Sequence, residues 1–303
     1  MSPRTKAILA ILLAQLLWST AGLSKIIVRE LDPYVAGFLR FFVASVVILP
    51  FFLKEKFKSK HMVRDMLPFS LAGAINVVFF YVGLETSTAN AASLIYAGVP
   101  LVTALIAHYA IAERLIARRL IGIITGGIGV LFIALLPLIE RGESASGNFP
   151  GNIFFILATL TWSCYLVGSR RASTKHNYSP LTISSMFIFV TCIIFFIISL
   201  FTFTSSYIET LRQPSMVLLI LHLGTLVTVA TFTLHQWAIK YTSATTASLS
   251  TYIGPIFAVT ANSILLGEKI TPGFVAGAAI VFAGILIISG NNLVKEARSW
   301  ILK

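Results

Sequence analysis

Acidic residues are scarce in this chain, with eleven Asp and Glu among 303 residues, and charged residues of both signs reach only 11%. A soluble domain carries about 25% charged residues, so this composition cannot cover a water-facing surface. No Asp or Glu falls at mid-depth in an apolar run, which argues against ion exchange through a buried carboxylate. The two cysteines, Cys164 and Cys192, sit in separate apolar runs and outside any ligand-spaced cluster, so neither a metal site nor a disulfide framework is implied. HExxH, paired-aspartate and GxSxG patterns are absent, and Gly142 to Gly147 (GESASG) misses the nucleophile spacing. An enzyme therefore has no catalytic motif to rest on, and no cofactor or metal is expected. Long polar segments are also missing. The connections between apolar runs reach about 15 residues at most, which leaves one membrane domain and no soluble one.

What the chain has is apolar length. Hydrophobic residues make up 57% and the mean hydropathy is +0.89, with the apolar residues in blocks close to the roughly 20 residues that cross a hydrocarbon core. The blocks are 6–28, 34–53, 67–86, 89–111, 118–137, 151–169, 181–202, 215–239, 244–267 and 272–290. An all-α membrane protein with ten transmembrane helices is expected. Pro33, Pro68, Pro150, Pro180, Pro214 and Pro272 stand at or just before block starts, where a missing N–H costs nothing and the fixed φ suits a first turn. The first block follows Arg4 and Lys6 as a signal peptide would, but its apolar run is too long for one and nine more blocks follow it.

A net charge of +12 would suit a nucleic-acid binder if the cations were clustered on one surface. They instead alternate with the spans. Arg4 and Lys6, the group from Lys54 to Arg64, Arg114 with Arg118 and Arg119, Arg170 with Arg171 and Lys175, Lys240, and the tail Lys295, Arg298 and Lys303 all fall on one side. The other side holds Lys25, Arg29, Arg141, Arg212 and Lys269. This is the positive-inside pattern. It places both termini in the cytoplasm of a bacterial or archaeal cell, makes the protein a multi-pass resident of the plasma membrane with lipid as its surroundings, and removes the case for nucleic acid.

Sliding the chain on itself reveals a repeat. A shift of 155 pairs Ala92-Ser93-Leu94 with Ala247-Ser248-Leu249, Pro100 with Pro255, Glu113 with Glu268, Gly122 with Gly277 and Gly129 with Gly284. A shift of 144 pairs Trp18-Ser19 with Trp162-Ser163. Residues 1–140 and 141–303 are thus two copies of a five-helix unit. Five is odd, so the second copy enters the membrane from the opposite side and the copies form inverted repeats, an architecture that suits alternating access to a central site.

These residues resemble a known family. Trp-Ser in the first and sixth spans, Phe38-Leu39-Arg40-Phe41-Phe42 in the second, Ala92-Ser93-Leu94 with Pro100 and Glu113 in the fourth, and Ala247-Ser248-Leu249 with Pro255 and Gly267-Glu268-Lys269 in the ninth are similar to the EamA family of the drug/metabolite transporter superfamily. The resemblance implies a secondary transporter that exports amino acids or similar small metabolites. Other small solutes (a drug, a nucleobase or a sugar derivative), or import, stay open as alternatives, with a channel or a non-transport membrane protein behind them.

The candidate substrate site gathers Trp18, Ser19, Tyr81, Tyr96, Trp162, Tyr165, His235, Gln236 and Tyr252 at the repeat interface, with Pro100 and Pro255 as helix breaks. Tryptophan usually collects at the headgroup boundary, whereas Trp18 and Trp162 lie near the centres of their spans, where an indole either fills a packing gap or faces a cavity. Each mid-span proline removes one backbone bond and frees an acceptor four residues earlier. His108 and His235 make a proton the candidate coupling ion, although either also suits an interhelical hydrogen bond. Arg40 lies about two turns inside the outer surface, within reach of the headgroups or of a solute. Glu113 and Glu268, each followed by a cation, are read as structural turn residues. The glycines 122, 126, 129, 277 and 284 are read as close-packing positions.

The charge pattern generates a topology test. A single cysteine placed at Ser144 is expected to react with a membrane-impermeant thiol reagent on intact cells, and one placed at Lys56 only after permeabilisation. The reverse labelling order would refute the orientation.

Overall fold

The computed structural model describes 3–55, 61–111, 117–139, 147–241 and 244–301 as backbone, with side chains described for most of these positions. The described residues form helices joined by short turns, with no strand among them, because hydrocarbon offers peptide groups no partner and a helix satisfies its own. Six helices, or helices joined end to end, are long and apolar enough to cross a membrane: Leu9–Glu30, Pro33–Leu53, Met62–Thr86, Phe149–Lys175, Pro180–Thr202 and Pro214–Ala238. Shorter apolar stretches at Ala89–Thr103, Leu120–Leu136, Gly254–Leu266 and Pro272–Gly284 fall where the remaining four spans are expected.

In chain order the elements are α1 (Pro3–Trp18), a 3₁₀ segment (Ser19–Leu23), α2 (Ser24–Glu30), α3 (Pro33–Leu53), α4 (Met62–Thr86), α5 (Ala89–Tyr96), α6 (Val99–Ile111) and α7 (Ala117–Ile139). There follow α8 (Phe149–Lys175), α9 (Pro180–Thr202), α10 (Tyr207–Leu211), α11 (Pro214–Gly224), a π-helical segment (Thr225–Ala230), α12 (Thr231–Tyr241), α13 (Ala244–Leu266) and α14 (Pro272–Ile301). Proline opens α3, α9, α11 and α14 and is the second residue of α8. Pro68 is an exception: α4 starts at Met62, and Pro68 lies inside the helix. The two mid-span prolines also part company. Pro100 follows a break at Ala97 and Gly98, whereas α13 runs uninterrupted through Pro255.

Packing pairs the helices lengthwise: α4 with α8, α7 with α14, α3 with α9, and α1 with α12 and α13. The α7–α14 seam depends on glycine. A Cβ on Gly284 would lie 2.3 Å from the backbone nitrogen of Gly126, so the two main chains approach too closely for any side chain. The opposite face of α7 exposes Ile121, Ile124, Ile128, Leu131 and Leu135 at alternating spacings of three and four. Water would not tolerate that stripe on a monomer, whereas lipid does. Between the sheath and the centre lies a core rich in Phe, where Phe41 stacks on Phe195 at 6.1 Å and Phe187 on Phe232 at 4.6 Å.

One end of the bundle is tied by polar groups. The N–H groups of a helix's first turn lack intrahelical partners, and in α5 those of Ala89, Asn90 and Ala91 find acceptors outside the helix. Ala89 and Asn90 donate to the two carboxylate oxygens of Glu268 at 2.8 and 2.7 Å, Ala91 donates to the Thr88 hydroxyl at 3.1 Å, and Ala92 donates to the Thr88 carbonyl at 3.1 Å. The Lys25 ammonium donates to the carbonyls of Leu84, at 3.0 Å, and Ser87, at the carboxyl end of α4 where a cation suits the helix dipole. The Ser87 hydroxyl in turn donates to Asn152 on α8 at 2.6 Å. Glu268 therefore caps a helix 178 residues earlier in the chain; Glu113 lies outside the described residues.

Burial raises the Glu268 carboxyl above the ordinary carboxylate range, against the pull of the two N–H groups and the Lys25 and Arg29 charges. Between the ordinary and the raised titration range the folded protein holds a proton that the unfolded chain has released, so this group's contribution to stability is fully present at low pH. That contribution declines as pH rises through the raised titration range. In detergent melting curves, Glu268→Gln should flatten this part of the pH dependence. Glu268→Ala leaves the α5 donors uncapped and should cost about 1–3 kcal/mol of stability. An unchanged pH profile in the Gln variant would count against the assignment.

Candidate functional site: a central cavity between the helices

Three helix interruptions border one cavity. The break at Ala97 and Gly98, before Pro100, ends α5 at Tyr96, which lines the cavity. Here Gly98 donates to the Ile95 carbonyl at 3.0 Å, and Leu101 and Val102 return to the Gly98 carbonyl at 3.0 and 3.2 Å. Pro100 has no N–H to lose. The Val99 carbonyl receives the Ser163 hydroxyl of α8 at 3.4 Å. On the first span the 3₁₀ segment brings Ser19 and Gly22 to the wall, and the π-helical segment precedes Phe232 and His235. Single π turns in helices recur at functional sites, where they re-aim side chains.

The cavity holds about 240 Å³ and is walled mainly by apolar and aromatic groups. Of the residues expected from the sequence, Trp18, Ser19, Tyr96, Trp162, His235 and Pro255 lie on its lining. The two indoles meet edge to face at 6.2 Å, Trp18 packs at 5.4 Å from Phe232 and 5.0 Å from the His235 ring, and Trp162 lies 5.7 Å from Phe232. Such pairs favour offset or perpendicular rings because of their quadrupoles. Tyr96 is held by the Asn76 amide, which donates to its phenolic oxygen at 2.6 Å and to the Ala158 carbonyl at 2.7 Å.

Three other expected residues sit behind the wall. Tyr81 and Tyr165 are fully buried in the helix packing and Gln236 nearly so. Tyr165 stacks on Trp162 at 4.8 Å and accepts the Gln236 amide at 3.1 Å, so this pair buttresses the indole from outside the cavity. The side chains of Tyr252, Pro100 and His108 lie outside the described residues. Among the described residues no three His, Cys, Asp or Glu side chains come together as a metal site.

The lining also contains groups outside the expected set: Gln15, Asn76, Ser93 and Arg40. Arg40 does not snorkel to the surface. It is 5% exposed, donates from Nε to the Thr228 hydroxyl at 2.8 Å and from Nη1 to the Ser24 hydroxyl at 3.5 Å, and faces inward. Gln15 precedes Trp18 and Ser19 by three and four residues on the same helical face, and this spacing is the available sequence signal. Asn76 and Ser93 carry no comparable signal.

Comparison with known proteins agrees with this architecture. The EamA-like transporter family matches residues 5–135 and 149–290. An uncharacterized transporter of Clostridium kluyveri is 25% identical over 95% of this chain and 94% of its own length. The uncharacterized transporter YcxC of Bacillus subtilis is 26% identical over 86% of this chain and 83% of its own. One crystal structure superposes with a TM-score of 0.64 at 19% identity, covering 93% of this chain and 96% of that one, and so shares the fold. With a family match over nearly its whole length, membrane-length apolar helices and a cavity among them, the chain belongs to the EamA-like transporter family and is an integral membrane transporter.

Proposed function

We propose that this protein is a secondary transporter, without catalytic activity, that exports amino acids or similar small metabolites by alternating access at the central cavity. The observation that carries the reading is the meeting of Trp18 and Trp162. They occupy matched positions in the two sequence repeats, come from α1 and α8, and lie 6.2 Å apart on one cavity wall. Equivalent residues at mid-depth converge when two halves are related by an axis in the membrane plane.

The packing pairs support the same symmetry. Exchanging the halves sends α4 against α8 into α12 against α1, and leaves α3 with α9 and α7 with α14 as self-paired contacts. In this reading 1–140 and 141–303 are inverted five-helix repeats making ten spans in the plasma membrane with both termini cytoplasmic. They rock about the cavity while it opens to one side at a time. The mainly apolar wall with a few polar groups suits a small amphiphilic solute. His235, packed on Trp18, is the described residue best placed to couple transport to a proton.

Replacing the indoles tests this. Trp18→Ala and Trp162→Ala should lower export by about tenfold, the equivalent of ~1.4 kcal/mol, at near-normal membrane abundance, with the Phe variants in between. Export is read as resistance of expressing cells to toxic amino-acid analogues, and abundance by immunoblot of membranes. Loss of folded protein with unchanged transport per molecule would mean that the indoles only pack.

A further inference from the structure

Among the described residues Arg40 is a buried cation without an acid. A guanidinium stays charged at every accessible pH, so burial cannot be relieved by losing a proton. Its two acceptors are neutral hydroxyls, Thr228 at 2.8 Å and Ser24 at 3.5 Å, and among the described residues no carboxylate pairs with it. The acids Asp32 and Glu268 are occupied elsewhere. Asp32, at the start of the same helix, accepts from Tyr34 and Val35 at 2.8 and 3.3 Å and from the Thr202 hydroxyl at 2.9 Å. Glu268 caps α5. A charge taken out of water without a counter-ion is costly, yet this one lines the cavity beside Trp18, Asn76 and Tyr96.

We propose that Arg40 is the anchor for a single anionic group of the transported solute, a carboxylate, whose apolar body lies along the aromatic wall of Trp18, Trp162 and Phe232. This deepens the transporter reading and rests on it. The guanidinium fork carries five N–H groups, of which the described hydroxyls engage two, and a carboxylate matches the fork in bidentate fashion. Arg40 is the one permanently charged group among the described lining residues, so a monoanion balances the site where a dianionic phosphoryl group leaves one charge unmatched. The Arg40 partners also come from both sequence repeats, Ser24 from the first and Thr228 from the second. A carboxylate that recruits the guanidinium therefore acts on contacts that join the two halves.

The test uses the full-length protein in lipid nanodiscs, with melting temperature and tryptophan fluorescence as readouts. The probes are matched sets: L-leucine, 4-methylpentanoate and L-leucinamide, and the corresponding phenylalanine set. Wild type should respond to the acids, with or without the amino group, and at least tenfold more weakly to the amides. Arg40→Gln should lose the preference for acids, and Arg40→Lys, which keeps the charge without the fork, should weaken it. Equal responses to acids and amides in wild type, or an Arg40→Gln protein that still prefers acids, would overturn the anchor. If those responses are nevertheless abolished by Trp18→Ala, the cavity reading stands while the anchor falls. Silence from every probe would overturn both. Should Arg40→Gln fail to fold, the wild-type contrast between acid and amide decides the matter.

Discussion

Hydrocarbon cannot hydrogen-bond a peptide group, and most of this structure follows from that constraint. It makes the described chain helical and requires a named partner wherever a helix is interrupted. The break before Pro100 loses little because proline has no donor there, and the buried Val99 carbonyl takes the Ser163 hydroxyl. The start of α5 borrows the Glu268 carboxylate from a distant loop. In the π segment the Thr228 hydroxyl donates to the Leu223 carbonyl, five residues earlier, at 2.8 Å and still accepts from Arg40. Each repair reaches into another element, so the places where the helices break are also the places where they are tied together.

The interior divides into two kinds of contact. The α7–α14 seam is backbone against backbone at glycine, which gives dense dispersion contact and no room for a solute. At the centre, bulky rings replace glycine and cannot close completely, so a cavity is left among Trp18, Trp162, Phe232 and Tyr96. The rings are braced from behind by Tyr165, Phe187 and Gln236. This arrangement joins tightly packed side walls to a centre held by polar bonds. The Lys25 and Glu268 ties at one end are polar as well, each made to backbone groups rather than to a complementary surface.

Class, helix positions and the paired tryptophans were legible in the sequence because they depend on local and periodic signals. Apolar length marks a span whatever its neighbours are. Depth along a span follows from helix rise, which is why Trp18 and Trp162 stood out as misplaced for a headgroup belt. Boundaries were less legible: α4 starts ahead of Pro68, and the expected fourth span is two helices. The matched prolines show the limit of pattern reading, since Pro100 follows a break while Pro255 sits in a continuous helix. Both prolines remove one bond, but only tertiary neighbours decide whether the helix yields.

The sequence by itself determined that this is a helical membrane protein with a doubled pattern and two deep indoles. Tertiary structure alone decided which polar side chains face the cavity and which stand behind it. Tyr165 and Trp162 lie one turn apart on α8, yet the indole is on the wall and the phenol is fully buried. Arg40 had two directions open to it from its position on α3, and a long flexible stem allows either. The choice was made by Thr228 and Ser24, residues from other helices brought within hydrogen-bond reach by packing. Side-chain direction at a site depends on distant partners, and a one-dimensional pattern does not contain their positions.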